Sequence, residues 1–276
     1  MRHKRGVAIV VGSGGIKFAA SLGLWQKLER EGLEISMAIG SSGGSIYTAM
    51  MALGYDAATA EGKTVDLWTP DLMSGYTAQL RAVQSGASRF TERSGLADGE
   101  RLNRRLYKAF GAQTFADALF PLYIISTDLY SGEPVVHNSG RVVDAIRASI
   151  AIPQLFPPQE LGDRLLVDGA VSNPLPVDVA IKEGGEIVLA MGFEVPTRAR
   201  MRSYASVTAH FDSVYQNNIL RATFAFSSLA HHGELIPILP RFEHPIGTFD
   251  SDQVPNIVEA GVSATEEALP YIRRLL

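Results

Sequence analysis

Gly40-Ser41-Ser42-Gly43-Gly44 places Ser42 at the centre of a G-x-S-x-G pentapeptide. A serine on a sharp turn between a strand and a helix holds its hydroxyl clear of the sheet, above the positive end of the helix. The small residues around it let neighbouring backbone pass close. Such a hydroxyl can act as a nucleophile. A Gly/Ser turn that merely starts a helix is the plainer reading of five residues alone, because the pentapeptide recurs by chance. Its context, a strand before and a helix after, favours the nucleophile.

Gly12-Ser13-Gly14-Gly15-Ile16-Lys17 follows an apolar run and opens another helix. Backbone N–H groups at such a turn are unpaired and can hold an anion. A dinucleotide fingerprint would need G-x-G-x-x-G, but Lys17 occupies the last glycine position. Lys27, Glu29, Arg30 and Glu31 also form no clear ribose-binding strand end. The phosphate-loop pattern G-x-x-x-x-G-K-[ST] is absent. A bare turn and an oxyanion hole remain, and the serine one βα unit later favours the hole.

A serine nucleophile needs a base. The six histidines are His3, His137, His210, His231, His232 and His244, and none sits in an obvious loop after a late strand. They read as solvated or capping residues. Asp168 is the better candidate. It ends the run Arg164-Leu165-Leu166-Val167 and precedes Gly169-Ala170. At the C-terminal end of a strand it would face the same sheet edge as Ser42. Taken alone, Asp-Gly is a common turn pair, and that reading would win.

The elements that must position these residues alternate. Strands are expected at 7–11, 35–39, 122–126, 134–137, 164–167, 186–191 and 235–239. Helices are expected at 17–31, 44–53, 99–109, 141–149, 176–183 and 201–233, with a last one at 252–275 interrupted at Pro255 and Pro270. Residues 152–158, with three prolines, must be a rigid loop. The pattern predicts a single α/β domain over 1–276: a three-layer αβα sandwich around a mainly parallel sheet. Residues 55–115 are expected to form a helical insertion or lid.

The three motifs occur in the order in which the patatin-like phospholipase family, a family of serine acyl hydrolases, carries them. Other stretches resemble that family too. They are Thr127-Asp128-Leu129-Tyr130-Ser131-Gly132, the block from Ala148-Ser149 to Phe156-Pro157-Pro158, and Asn173-Pro174-Leu175-Pro176. The resemblance spans residues 6–195. It implies a Ser–Asp dyad without histidine: Ser42 as nucleophile, Asp168 as base, and the amides of Ser13, Gly14 and Gly15 as the oxyanion hole. Gly40, Gly43 and Gly44 would shape the elbow, and Gly169 and Ala170 would flank the base. Two departures stand out, Ser13 for the family's first glycine and Phe18 for its last.

The expected reaction is hydrolysis of a carboxylic ester, a lipid or another acyl ester, through an acyl-serine. A catalytically weak protein of the same fold with a binding or regulatory role is the alternative. Tyr204, Phe211, Tyr215, Phe224 and Phe226 could line an acyl channel, although core packing is the plainer reading. Arg198, Arg200 and Arg202 could meet anionic head groups in a peripheral membrane contact, although a solvated surface is commoner.

Composition excludes other chemistries. The chain has 276 residues, 46% hydrophobic and 20% charged, with formal charge −4 and no cysteine. Thiol catalysis, disulfides and Cys-ligated metals are ruled out. A nucleic-acid binder would show a basic excess. Asp250-x-Asp252 lacks the rest of a calcium loop, so no metal or cofactor is expected. Met1-Arg-His-Lys-Arg resembles a signal-peptide start, but the apolar run that follows is too short, and no stretch approaches a membrane span. A cytoplasmic location is expected, peripheral at a membrane at most. Nothing in the sequence specifies an oligomeric state.

Overall fold

Residues 6–193, 200–202, 204–230 and 233–276 are described by a computed structural model. Val7–Val11 forms β1, buried along its whole length. Val7, Ile9 and Val11 enter one hydrophobic core, and Ala8 and Val10 enter the other. The period of two in an unbroken apolar run is what a strand covered on both faces requires.

The other strands are β2 (Ile35–Ser41), β3 (Leu122–Asp128), β4 (Pro134–His137), β5 (Gln159–Leu161), β6 (Arg164–Asp168), β7 (Ile187–Met191) and β8 (Glu234–Ile238). Strands β3, β2, β1, β7 and β8 pair in parallel, in that order. Strands β4 and β6 run antiparallel to β3, and β5 is antiparallel to β6. The sheet is therefore mixed, with a parallel majority.

The antiparallel pairing of β6 corrects the reasoning that placed Asp168 beside Ser42. The far end of an antiparallel strand belongs at the opposite edge of a sheet. Register resolves this. Strand β2 pairs with β3 from Leu122 to Ile125, and β6 pairs with β3 only from Asp128 down to Ser126. Strand β4 spans Ile124 to Thr127, overlapping both. A strand has two hydrogen-bonding sides, so β2 and β6 share the side of β3 away from β4. They run toward each other along β3, and their C-terminal ends meet where Ser42 and Asp168 stand.

The helices are α1 (Ala20–Arg30), α2 (Gly43–Ala52), α3 (Ala57–Leu67), α4 (Tyr76–Gln84), α5 (Gly99–Phe110), α6 (Val142–Ser149), α7 (Val177–Lys182), α8 (Tyr204–Ala230) and α9 (Val254–Leu275). Side chains of α1, α2, α3, α5, α6 and α9 fill one core; those of α7, with Leu220 of α8, fill the other. Helices on both faces complete three layers. Within 55–115, α4 buries no residue fully, whereas α5 sends Leu102, Leu106, Ala109 and Phe110 inward.

Helix α9 is continuous, contrary to the interruptions expected at its prolines. Pro255 sits in the first turn, where no intrahelical N–H is needed. Pro270 lies inside the helix between buried Leu269 and Ile272, and that packing holds the axis through it. The crossing with α1 is backbone against backbone. A Cβ on Gly23 would collide with the Val258 carbonyl, and one on Gly261 with the Ala20 carbonyl.

Candidate active site

The glycines at the end of β2 and the start of α2 are small because backbone fills the space beside them. A Cβ on Gly40 would lie 2.5 Å from Ser45 Cα, one on Gly43 2.8 Å from Gly15 N, and one on Gly44 2.5 Å from Gly12 O. The glycine turn after β1 is thus pressed directly onto the serine elbow. Ser42 takes φ 52° and ψ −129°. With Gln154 it is one of two non-glycine residues at positive φ among those described. Such a backbone costs about 1–3 kcal/mol and persists only where its surroundings impose it. Here the Ser42 N–H donates to Ser149 Oγ at 2.9 Å. Its carbonyl accepts from Ser45 N–H at 2.9 Å and from Ser45 Oγ at 2.6 Å.

Ser42 Oγ donates to Asp168 Oδ2 at 2.7 Å. The other carboxylate oxygen, Oδ1, accepts from the Ala170 N–H at 2.8 Å. Asp168 is held at both backbone ends: its N–H donates to the Ala151 carbonyl at 3.0 Å, and its carbonyl accepts from Thr127 Oγ1 at 2.9 Å. Gly169 lets the chain turn here, since a Cβ would lie 2.6 Å from Ser41 Oγ. Ser42 is 6% exposed and Asp168 3%. Burial strips the carboxylate of hydration and pushes its pKa up to about 7, a rise that the hydrogen bonds from Ala170 and Ser42 partly offset.

The three amides of the glycine turn differ. The Ser13 N–H donates to the Pro174 carbonyl at 2.9 Å. Among the described residues, the amides of Gly14 and Gly15 donate to no protein acceptor, and Gly15 holds φ +63° at the start of a 3-10 turn. The Thr248 side chain rests on Gly15, with its methyl 3.2 Å from where a Cβ would be.

No histidine among the described residues hydrogen-bonds to Ser42 or Asp168. His137 is largely buried with Nε2 2.7 Å from Ser126 Oγ, and burial pushes its pKa down to about 4. His210 lies on α8 and His244 is exposed; His3, His231 and His232 lie outside the described residues. Phe211 and Tyr215 are exposed, neither core nor channel, while Phe224 is half-buried against the second core. The side chains of Tyr204 and Phe226, like Arg198 and the first five residues, lie outside the described set. Asp250 accepts the Gly247 N–H at 2.7 Å, a turn contact, and no metal-binding cluster occurs among the described residues. Among those residues no helix is long and apolar enough to cross a membrane.

Sequence reasoning missed a role for Ser149. It lies 107 residues from Ser42, within a block quoted only for likeness. The Pro174 carbonyl, which takes up the Ser13 amide, carried no signal at all.

Comparison with known proteins bears on family and fold. The family model for patatin-like phospholipases matches residues 9–181. An uncharacterized NTE family protein of Mycobacterium tuberculosis is 29% identical over 284 residues, covering 96% of this chain and 46% of its own. The human patatin-like phospholipase domain-containing protein 6 is 27% identical over 187 residues, covering 67% of this chain and 13% of its own. The chain thus spans under half the length of either relative. In structure, VipD from Legionella pneumophila covers 98% of this chain and 67% of its own at TM-score 0.53 and 13% identity, a likeness of fold.

Proposed function

This chain belongs to the patatin-like phospholipase family, and we propose that it hydrolyses carboxylic esters of lipids with Ser42 as nucleophile and Asp168 as base. The observation that carries this is the 2.7 Å hydrogen bond from Ser42 Oγ directly to Asp168 Oδ2, with no histidine between them. Asp168 takes the hydroxyl proton as Oγ attacks the ester carbonyl. The oxyanion that forms is held by the amides of Gly14 and Gly15. Ser13 drops out of the hole expected from the sequence, because its N–H is already given to Pro174. The intermediate collapses to an acyl-serine, and the carboxyl proton goes to the departing alkoxide. Water, deprotonated by the same carboxylate, then releases the fatty acid and restores Ser42.

A carboxylate with an ordinary pKa near 4 is a poor base at neutral pH. One raised to about 7 matches the working range while staying ionised above it. Strain at Ser42 and the two free amides of Gly14 and Gly15 fit a site preorganised for an acyl transition state.

The test is hydrolysis of p-nitrophenyl esters of graded chain length by wild type, Ser42→Ala and Asp168→Asn. Loss of the base should cost roughly 10²–10⁴-fold in kcat, and Ser42→Ala at least as much. Full activity in either variant would overturn the mechanism. A fluorophosphonate probe should label Ser42. The burial of both side chains favours one other reading, a non-catalytic binding protein of this fold. Failure of the probe to label folded protein would select it.

A further inference from the structure

We infer that the amino-terminal half of α8 is a docking surface for anionic lipid bilayers, which seats the catalytic edge of the sheet on its substrate. This rests on the lipid-hydrolase reading above.

The argument starts from length. Helix α8 has 27 residues, about 40 Å, whereas β7 has five, about 16 Å. The two can be aligned at two points. Beyond the carboxyl end of α8, the Glu234 N–H donates to the Glu186 carbonyl at 2.7 Å, just before β7 begins. Leu220 packs on Gly192, just after β7 ends: a Cβ there would lie 2.9 Å from Leu220 Cδ1. The helix from Leu220 onward therefore spans the strand. The part before it, residues 204–219, continues beyond that point for about 24 Å of helix, with Asn217 still buried on its inner side. Parallel β2 delivers Ser42 to the same C-terminal edge as the end of β7.

This segment is apolar along one line. Val207, Phe211, Tyr215 and Ile219 recur at every fourth residue and are 38%, 53%, 63% and 41% exposed. None belongs to either core. Arg200 and Arg202, both exposed, stand at the tip just before the helix, with Met201, 38% exposed, between them. An exposed aromatic and aliphatic stripe beside basic residues suits a bilayer interface, with the arginines here placed before the helix rather than along it. In a chain of formal charge −4, this tip offers an anionic surface a local point of attraction. A second copy of the chain fits less well. Four partly exposed side chains offer roughly 300–400 Å², against about 800 Å² per partner in a stable interface.

The experiment uses the full chain carrying Ser42→Ala, so that vesicles stay intact and binding is read apart from catalysis. It should co-sediment with vesicles of three parts phosphatidylcholine to one part phosphatidylglycerol. Binding should fall roughly tenfold or more with Phe211→Ser/Tyr215→Ser, with Arg200→Gln/Arg202→Gln, or in about 0.5 M NaCl. In the Ser42-containing chain both double variants should hydrolyse p-nitrophenyl butyrate at the wild-type rate and keep the wild-type circular dichroism. Unchanged binding by folded variants, or no binding by the parent, would overturn the proposal. So would a dimer in light scattering that Phe211→Ser/Tyr215→Ser dissociates, since that assigns the stripe to a second copy. Vesicle binding without any esterase activity would instead refute the hydrolase reading and leave the surface standing.

Discussion

Burial of Asp168 has two measurable effects of opposite value to the protein. As the proposed base, Asp168 must be ionised to accept a proton, so kcat/KM should rise with pH through about 7 and level off above it. A profile flat from pH 5 to 9 would contradict this. Stability moves the other way. A carboxyl whose folded pKa exceeds its unfolded value binds its proton more tightly when folded. Its contribution is fully present below about pH 4 and is lost as pH rises through about 7. Each unit is worth about 1.4 kcal/mol, so the loss is roughly 2–4 kcal/mol. Asp168→Asn keeps an acceptor for Ala170 and turns a donor toward Ser42, so it should melt higher than wild type at pH 8.5 and gain much less at pH 5. His137 titrates with the opposite slope on the acid side, but it is common to both proteins and cancels. An equal gain at both pH values would sink the argument. Ser149 acts by position: Ser149→Ala removes the acceptor for the Ser42 amide. We expect kcat to fall roughly tenfold with little change in KM, and Ser149→Thr to restore part of it. At this scale the serine and the carboxylate were legible as motifs. The status of the Ser13, Gly14 and Gly15 amides was not, because an N–H is free or occupied only by virtue of a distant carbonyl.

Strands and helices were legible where a period and a terminator coincide, as in β1 ending at the glycine turn and α5 between Asp98 and Gly111. Strand direction was not. No residue of β6 announces that it runs against β3, and nothing local shows that β2 and β6 share one side of it. Yet that end-to-end placement brings Ser42 and Asp168 together. A slip of one residue in β6 would turn Asp168 to the other face of the sheet. The continuity of α9 was also missed, because propensity reads Pro270 as a break while the packing of Leu269 and Ile272 overrides it. The glycines where α1 and α9 cross permit a sharp test. Gly261→Leu must displace the Ala20 carbonyl or unfold the crossing, and should cost at least about 3 kcal/mol by chemical denaturation. A surface-like cost below about 0.5 kcal/mol would show that the helices can part.

At the scale of the whole molecule, the matched segment, residues 9–181, holds Ser42, the glycine turn and Asp168 but leaves the sheet unfinished. Strands β7 and β8 and helix α9 come after it. Composition excluded thiol chemistry and gave no sign that the α8 stripe is exposed, since a stripe at every fourth residue reads alike whether it faces a core or solvent. The α1–α9 crossing also bears on time. Helix α1 begins just past the glycine turn, and its Gly23 face is closed only by a helix more than 230 residues later in the chain. During synthesis Ser42, the glycine turn and Asp168 all leave the ribosome before the helix that packs on α1 exists. A nascent chain stalled anywhere before Val254 should therefore be inert toward esters and sensitive to protease, and should gain both activity and resistance only once α9 emerges. A chain built this way should stay silent toward esters until α9 has emerged.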